Sequence, residues 1–369
     1  MRSLFRHPTL IAFAAVALCL TVVAAPARAE LHGGIEIGAK GVKATVLDVT
    51  PHADGYELSV KSGEAINTTL SAGIAKSGKF DDKAIDDTIA AIKTFRDRMI
   101  KDMHVPAERI SIVGSSGLFA AVVDKPDAIA TNQKLLAAAI EKGFGMKIDF
   151  IDAKREAELS IAGIMPKKFH AQSVLIDIGS GNTKGGYPTE KGYATMSTPF
   201  GTVTFTEKIK KVEGDFTANA KALRESTLRP AFKEDLKQLR DIASRKRIYL
   251  SGGIVWAACT LSHPEATSAF TPLTVKDIDA LLAKIAAGAE FPVPDLSGIA
   301  DEQQRKKAES EIARIKTTFP PQQLLAGLHL LKALASEMNL EDADKRIFFA
   351  RHGYLGWILA YVAEKGMKE

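Results

Sequence analysis

Apolar positions along this chain follow two alternating patterns. Short runs rich in β-branched residues, such as 174–178, are typical of buried strands. Between such runs, apolar residues recur about every three or four positions, which is the spacing of an amphipathic helix. The clearest case is 81–102, where Asp81 or Asp82 can cap the start of the helix. Strands and helices alternate throughout, so the sequence predicts an α/β protein with mixed sheets.

The same patterns place the other elements. Strands or hairpins are predicted at 35–49, 56–60, 109–113, 148–151, 174–187, 193–196, 247–250 and 347–349. Further helices are predicted at 128–142, 154–164, 255–261, 274–287, 301–317, 320–338 and 353–365, with a charged helical region over 205–245. Residues 167–172 are predicted to connect two domains, and 291–300 to form a loop.

The stretch VLIDIGSGNTKGGY, at 174–187, carries the strongest candidate chemistry. Asp177 interrupts its apolar run, and a charge in a buried strand is costly unless it is paired or binds a metal. The glycines that follow allow unusual backbone angles and close approach of a ligand. Backbone amides of such a turn can hold an anion. The stretch therefore indicates an aspartate that holds a cation beside a phosphate-binding loop; a tight hairpin with a partly exposed aspartate is the alternative.

A second stretch, GIEIGAKGVKATV at 34–46, has the same layout. Three positions correspond between the two stretches: Glu36 and Asp177, Gly38 and Gly179, and Lys43 and Lys184. The two members of each pair are the same number of residues apart along the chain. A repeated pattern of strand, carboxylate, glycine turn and lysine indicates a duplicated unit. Two such hairpins facing each other across a cleft can hold a phosphate chain from both sides.

A third glycine segment follows the predicted strand at 247–250. Gly252 and Gly253 precede a predicted helix, and a helix N-terminus after a strand is a ready anion site. A plain strand–helix turn explains this segment equally simply, and for the segment alone we favour that interpretation.

The N-terminal residues predict export. Arg2 and Arg6 precede an apolar run at 10–25, and Ala27-Arg28-Ala29 matches a signal-peptidase site, so 1–29 is predicted to be a secretory signal peptide. The run is shorter than the ~20 residues that span a bilayer. We therefore expect no stable membrane anchor after cleavage, and a periplasmic or extracellular protein. Only Cys259 remains after cleavage, which excludes an intramolecular disulfide.

The net charge and the spacing of the histidines limit which partners and metals the sequence predicts. The formal net charge of the whole chain is +5, part of which lies in the signal peptide. This is not the excess typical of nucleic-acid binding, so no nucleic-acid partner is expected. The eight histidines are scattered without metal-binding spacing, so the sequence predicts no zinc site.

The ordered set of motifs resembles the exopolyphosphatase/guanosine pentaphosphate phosphatase (Ppx/GppA) family, within the actin-like ATPase superfamily. The resemblance covers nearly all of the chain after the signal peptide. The matching segments are IEIG at 35–38, VGSSGLFAA at 113–121, KREAELSIAG at 154–163, IDIGSGNT at 176–183, TPFGTV at 198–203 and LSGG at 250–253.

This resemblance implies two actin-like (ribonuclease H-like) domains with mixed sheets flanked by helices and an interdomain cleft. The expected division assigns 30–166 plus 340–369 to the first domain and 167–339 to the second. It also implies a homodimer.

Roles for individual residues follow from the resemblance. Glu156 would position or deprotonate an attacking water, while Asp177 and Glu36 would hold Mg²⁺. The implied phosphate-binding residues are Gly38, Ala39, Lys40, Ser115, Gly179, Ser180, Gly181, Asn182, Thr183, Lys184, Gly252 and Gly253. Phosphoanhydride hydrolysis fits such a site, because it depends mainly on positioning and charge neutralisation.

The chain departs from the family pattern at several of these positions. Phe119 stands where the family has an arginine that contacts phosphate, and Lys184 stands where its second loop usually ends in glutamate. The first loop has Glu36 in place of aspartate and Ala39-Lys40-Gly41 in place of Ser-Asn-Ser. Lys184 could weaken Mg²⁺ binding. Alternatively, the lysines at 40, 43 and 184 could meet a polyanion directly, or lie on exposed strand edges.

Two functions remain from the sequence. The first is an exported phosphoanhydride hydrolase of exopolyphosphatase type, which releases terminal phosphate from inorganic polyphosphate or a related polyanion with Mg²⁺. The second is a catalytically degraded phosphate- or nucleotide-binding protein of the same fold, which Phe119 and Lys184 favour. An actin-like kinase or filament-forming protein fits the hairpins but not the signal peptide.

Overall fold

A computed structural model describes residues 30–52, 55–287 and 291–366, so the predicted signal peptide at 1–29 lies outside the described residues. The strands are β1 (Glu30–Ile37), β2 (Gly41–His52), β3 (Gly55–Asn67), β4 (Ile110–Gly114), β5 (Ile148–Phe150), β6 (Ser173–Ile178), β7 (Thr183–Thr189), β8 (Gly192–Thr198), β9 (Arg247–Ser251), β10 (Phe270–Leu273) and β11 (Arg346–Ala350).

The helices cover most of the chain between these strands. They are α1 (Ser71–Ser77), α2 (Asp82–Lys101), α3 (Pro126–Phe144), α4 (Ala153–Ile164), α5 (Thr202–Lys210), α6 (Phe216–Leu223), α7 (Arg229–Leu236), α8 (Gly253–Ser262), α9 (Val275–Ala286), α10 (Glu302–Thr318), α11 (Pro321–Glu337) and α12 (Gly356–Gly366). Within the described residues, none of them is both long and apolar enough to cross a membrane.

The strands form two sheets that share a five-strand arrangement, to which the second sheet adds β10 at its edge. The first sheet has the order β3-β2-β1-β4-β5, and the second has the order β10-β11-β9-β6-β7-β8. Each contains an antiparallel meander, β1-β2-β3 or β6-β7-β8, whose first strand also pairs in parallel with β4 or β9. The duplication predicted from the two similar stretches is thus confirmed at the level of the sheets.

The register of the two hairpins places an acid opposite a lysine in each. Glu36 on β1 pairs with Lys43 on β2, and Asp177 on β6 pairs with Lys184 on β7. Residues directly opposite in an antiparallel pair point to the same face of the sheet. Each lysine therefore lies beside the acid of its own hairpin.

Helices α4 and α12 connect the two sheets. Helix α4 packs on β6, β7 and β8, and α12 packs on β1, β2 and β3. The two helices cross at Gly163 and Gly356, where a Cβ on Gly163 would lie 2.0 Å from the Gly356 carbonyl oxygen. On one side Leu159 joins a core with Val113 and α12, and on the other Ile161 joins Leu175 of the second sheet. The crossing fixes the helix that carries Glu156.

Most predicted helices and strands are confirmed, and side chains cap the start of α9. Thr274 and Asp277 form a reciprocal capping box at its start. Helix α11 is buried along most of its length, so its role is packing. Sequence patterns missed the short elements α1 and β10, and the charged region 205–245 divides into α5, α6 and α7, with a π-helical turn at Arg224–Leu228.

One predicted boundary requires correction. Strand β11 pairs in parallel with β9, so residues 346–350 belong to the second sheet, although the sequence division assigned 340–369 to the first domain. The apolar pattern of this strand shows that it is buried, but it carries no information on which sheet it joins. The chain returns to the first sheet after Ala350, through α12. The remaining domain division stays a prediction.

We expect Gly163→Ala to destabilise the protein. Alanine favours a helix over glycine by up to about 1 kcal/mol, but its Cβ would meet the Gly356 carbonyl. Forced overpacking of this kind costs about 1–3 kcal/mol, so the net free energy of unfolding should fall. Chemical denaturation measures the effect. Gly298→Ala is the control, because a Cβ there meets nothing within 4 Å, and an equal loss in both variants would contradict the proposed clash.

Candidate functional site

The first glycine turn, 38–40, has its carbonyl groups held by the chain that leads into α1. The Ala39 carbonyl accepts hydrogen bonds from Ser71 N (3.2 Å) and Ser71 Oγ (2.8 Å). The Lys40 carbonyl accepts from Thr68 N (3.0 Å) and Thr69 N (3.2 Å). Within the described residues, the amides of Ala39 and Lys40 donate no hydrogen bond to the protein. These two amides are therefore available to an anion.

The second turn, 179–182, repeats this arrangement at the start of α5. The Gly179 carbonyl accepts from Thr202 N (3.1 Å) and the Ser180 carbonyl from Val203 N (2.9 Å). The side chain of Thr204 donates to the Gly181 carbonyl at 3.0 Å. The amides of Ser180 and Gly181 have no protein acceptor in the described part of the chain. Both turns thus anchor their carbonyls on the following helix and leave amides free, as an anion-binding turn requires.

Glu156 lies in the first turn of α4, and both of its carboxylate oxygens are engaged. Asp152 caps the helix by accepting from Arg155 N at 2.7 Å. The Glu156 side chain is only 4% exposed. Its Oε2 accepts from Ser116 N (2.9 Å) and Ser116 Oγ (2.6 Å), and its Oε1 lies 2.9 Å from Nζ of Lys184. Glu156 is therefore held on one side by Ser116, in the segment that follows β4 of the first sheet. On the other side it is held by Lys184 of the second sheet.

Lys184 is a buried ammonium between two carboxylates. Its Nζ lies 2.9 Å from Glu156 Oε1 and 2.9 Å from Asp177 Oδ2, and its side chain is 3% exposed. Burial by itself would lower the pKa of Lys184, but Asp177 and Glu156 raise that pKa well above its ordinary value. Burial would likewise raise the pKa of Asp177, yet Lys184 outweighs it and holds that pKa below its usual value. The pair is therefore charged at neutral pH. The sequence alternative of an exposed strand edge is wrong for Lys184, because β7 lies between β6 and β8.

The first hairpin carries the matching pair. Nζ of Lys43 donates to Glu36 Oε1 (2.9 Å) and Oε2 (3.1 Å). The pKa of Glu36 lies above its usual value, mainly because of burial; Lys43 opposes this shift and the nearby Glu156 adds to it. Lys43 in turn interacts with Asp177 and Glu156. The two hairpins and Glu156 therefore form one electrostatic cluster, as the repeated pattern predicted.

The carboxylates as arranged do not fit a Mg²⁺ site. The two predicted ligands, Glu36 and Asp177, are each paired with a lysine. Mg²⁺ requires near-octahedral oxygen ligands at about 2.1 Å, and a divalent ion on the same carboxylate oxygens would stand beside an ammonium. Two unit charges about 4 Å apart interact by about 4 kcal/mol at a surface-like dielectric constant, and a double charge doubles the repulsion. Among the described residues, no group of three or more His, Cys, Asp or Glu is arranged to hold a metal.

Each turn also contacts the opposite half of the molecule. Nζ of Lys40 donates to the Thr318 carbonyl (3.1 Å) at the C-terminal end of α10 and lies 4.7 Å from the centroid of the Phe319 ring. Burial lowers the pKa of Lys40 to about 8. Across the second turn, Asn182 Nδ2 donates to Ser116 Oγ at 2.8 Å. These contacts link the two halves of the molecule beside the turns.

The remaining predicted phosphate-binding residues either stabilise the fold around the turns or lie next to them. Gly252 has φ +108°, and a Cβ there would lie 2.0 Å from the Ile178 carbonyl oxygen, so this position requires glycine for a close backbone approach. Gly253 packs against Phe319. Thr183 Oγ1 donates to the Phe200 carbonyl at 2.7 Å, which commits its hydroxyl to the fold. The Ser115 side chain is buried, and its Oγ lies 3.7 Å from the position of a Cβ on Gly38.

Two features of the site were not found from the sequence. Ser116, rather than its predicted neighbour Ser115, holds Glu156, and two consecutive serines after a strand were the only signal. Thr318 contacts the first turn from the end of α10, where the sequence predicts a helix but no residue of the site. Phe119, which the sequence resemblance places at the family's arginine position, packs with Phe80 (6.0 Å between centroids) and Phe150 (5.9 Å) in the core of the first half.

Comparison with known proteins identifies the family of this chain. Residues 48–305 match the sequence model of the Ppx/GppA phosphatase family. A search of curated proteins found no match.

Solved structures show the same fold. The type II variant of the Ppx/GppA phosphatase of Aquifex aeolicus is 17% identical, with 91% of this chain and 99% of that chain covered at a TM-score of 0.59. An exopolyphosphatase from Cytophaga hutchinsonii is 17% identical, with 89% and 98% covered at a TM-score of 0.60. An exopolyphosphatase-like protein is 16% identical, with 92% and 98% covered at a TM-score of 0.66. The predicted two-domain, actin-like fold with mixed sheets is thereby confirmed.

We expect Lys184→Met to destabilise the protein strongly. The substitution leaves Glu156 and Asp177 buried without their cation, and breaking a buried pair in this way costs about 3–5 kcal/mol. Asp177 has a depressed pKa, so its pairing adds stability above the unfolded value of 3.8, and this contribution is lost as the pH falls through the folded pKa. The deficit of the variant should therefore be full at neutral pH and shrink in acid.

Urea denaturation at several pH values measures this deficit. Lys61→Met is the matched control, since Lys61 pairs with Asp48 across β2 and β3 with 45% of its side chain exposed. A loss at Lys184 no larger than that at Lys61 would refute the buried pair.

Proposed function

Since this chain belongs to the Ppx/GppA phosphatase family, we propose that it is an exported phosphoanhydride hydrolase that releases terminal phosphate from inorganic polyphosphate or a related phosphorylated polyanion. The observation that carries the proposal is the position of Glu156. This carboxylate is fixed beside two turns with free amides, by Ser116 from one half of the molecule and by Lys184 from the other.

The reaction requires a positioned water and neutralisation of phosphate charge. Glu156 orients the water whose oxygen forms the new bond to the terminal phosphorus, and it accepts the proton that the water loses. The anhydride bond breaks, and the shortened chain leaves with the bonding electron pair. The free amides of both turns, with Lys40 and Lys184, surround the negative charge. No step passes through Mg²⁺ on Glu36 and Asp177, because lysines already pair with both.

Export supports polyphosphate over nucleotides as the substrate. The predicted signal peptide at 1–29 directs the protein to the periplasm or the medium, where little ATP is expected. Polyphosphate needs no base recognition, and the site described here consists of amides, lysines and carboxylates. A homodimer remains part of the proposal through the family resemblance alone.

A binding protein without hydrolysis is the second candidate, and one observation favours it. Both oxygens of Glu156 are already engaged, by Ser116 and by Lys184. An attacking water must use a remaining lone pair of this carboxylate. In the binding protein, the same amides and lysines hold the phosphate chain and no water is activated.

Glu156→Gln separates the two candidates. The amide cannot accept a proton but can still accept hydrogen bonds, so phosphate release from polyphosphate should fall by about 10²–10⁴-fold while polyphosphate binding persists. The control is Glu158→Gln, on the same helix and 3.4 Å from Arg155 at the surface, which should leave both properties unchanged. Wild-type protein that binds polyphosphate and releases no phosphate would establish the binding protein instead.

Parallel assays with polyphosphate, pppGpp and ATP test the substrate class. We expect release from polyphosphate to have the highest kcat/KM, because the residues of the site recognise phosphate rather than a base. A clear preference for either nucleotide would show that the proposed substrate is wrong, even if the chain is a hydrolase.

A further inference from the structure

We propose that the ammonium of Lys184 takes the place of a divalent cation, so that this chain binds and turns over phosphate chains without a metal on its own carboxylates. The inference deepens the proposed function and, for its turnover part, rests on it. It depends on where the Lys184 side chain lies and on what surrounds it.

The first argument is the position of the charge. Nζ of Lys184 bridges carboxylates from two elements, Asp177 on β6 and Glu156 on α4, at 2.9 Å each. A cation that links the second turn to the water-positioning carboxylate would have to bind these same two groups. Lys184 occupies that place and supplies a fixed positive charge there.

The second argument is the hydrogen bonding of the ammonium. A lysine has three N–H donors. Two of them reach the carboxylates at 2.9 Å, while the third neighbour, Asn182 Oδ1, is 3.4 Å away. The third donor is therefore the least committed, and a phosphate oxygen can replace Asn182 as its acceptor. Lysine binds phosphate as a compact point charge, which suits this role.

The third argument is access from the second turn. Gly179 has no side chain, and a Cβ at this position would lie only 3.8 Å from Nζ of Lys184. The free amides of Ser180 and Gly181 follow directly along the chain. A phosphate held by these amides is thus next to the ammonium, with no side chain of Gly179 between them.

The fourth argument is that the hairpin register enforces the arrangement. Lys184 is directly opposite Asp177 on the neighbouring strand, and Lys43 is directly opposite Glu36 in the first hairpin. Lys43 also keeps 34% of its side chain exposed. Both predicted metal carboxylates therefore have a lysine that the sheet itself brings to them. If a metal displaced either lysine, the ammonium of that lysine would lose the carboxylate with which it is paired.

The test begins with the wild-type protein and the sodium salt of polyphosphate, in EDTA and in Mg²⁺. Polyphosphate binding, phosphate release and melting temperature are measured in each. We expect binding and release to persist in EDTA, and the melting temperature without substrate to be insensitive to Mg²⁺. Lys184→Met should weaken polyphosphate binding by about 10- to 100-fold, the range expected for one lost hydrogen bond from a charged donor.

Lys184→Glu is the converse test, because it replaces the ammonium with a carboxylate that can bind a metal. It places a third carboxylate beside Asp177 and Glu156, so its melting temperature should rise as Mg²⁺ is added, since a ligand that binds only the folded state stabilises it. Lys61→Glu reverses a charge on an exposed cross-strand pair and should show no such rise. If neither Lys184 variant folds, the wild-type measurements decide alone.

The outcomes distinguish this inference from the hydrolase proposal. Wild-type binding that requires Mg²⁺, together with a Mg²⁺-dependent rise in melting temperature, would overturn the inference and leave the hydrolase intact. Binding in EDTA without phosphate release under either condition would refute the hydrolase and support the role of Lys184 in binding. Binding and release in EDTA would support both.

Discussion

At the centre of this protein, the two halves depend on one interaction, which is the pairing of the buried Lys184 ammonium with carboxylates. A buried charge is tolerated only when it is paired, and here the pairing is shared between Asp177 of its own sheet and Glu156 of helix α4. That helix crosses α12, which packs on the first sheet. The position of the helix and the placement of both carboxylates are therefore linked through one side chain.

Around this pair, the duplicated architecture produces two turns with the same backbone design. In both, the helix that follows the meander binds the turn's carbonyl groups, through Ser71 in one half and Thr202 in the other. Anchored carbonyls leave the amides of the turn without protein acceptors. Amides suited to an anion thus arise from backbone geometry, so the first turn presents them without hydroxyl or amide side chains at Ala39 and Lys40.

The family resemblance and the structure differ most clearly in their sources of positive charge. The resemblance places Phe119 at the family's arginine position, and here Phe119 packs in an aromatic core with Phe80 and Phe150. The resemblance also places Lys184 where the second loop of the family usually ends in glutamate, and a lysine pairs with Asp177 and another with Glu36. The fold matches that of the solved structures, but in this chain each of the two predicted metal carboxylates is paired with a lysine.

The sequence alone determined the alternation of strands and helices, the duplicated hairpins and the acid–lysine correspondence, because hydrophobic period and residue spacing are local properties of the chain. It also identified the helix of Glu156 by resemblance. Only the tertiary structure decided that Lys184 is buried between two carboxylates, that Ser116 holds Glu156, that Lys40 reaches Thr318, and that β11 joins the second sheet. Each of these depends on how α4 and the two sheets pack, and a periodic pattern records that a face is buried without recording what covers it.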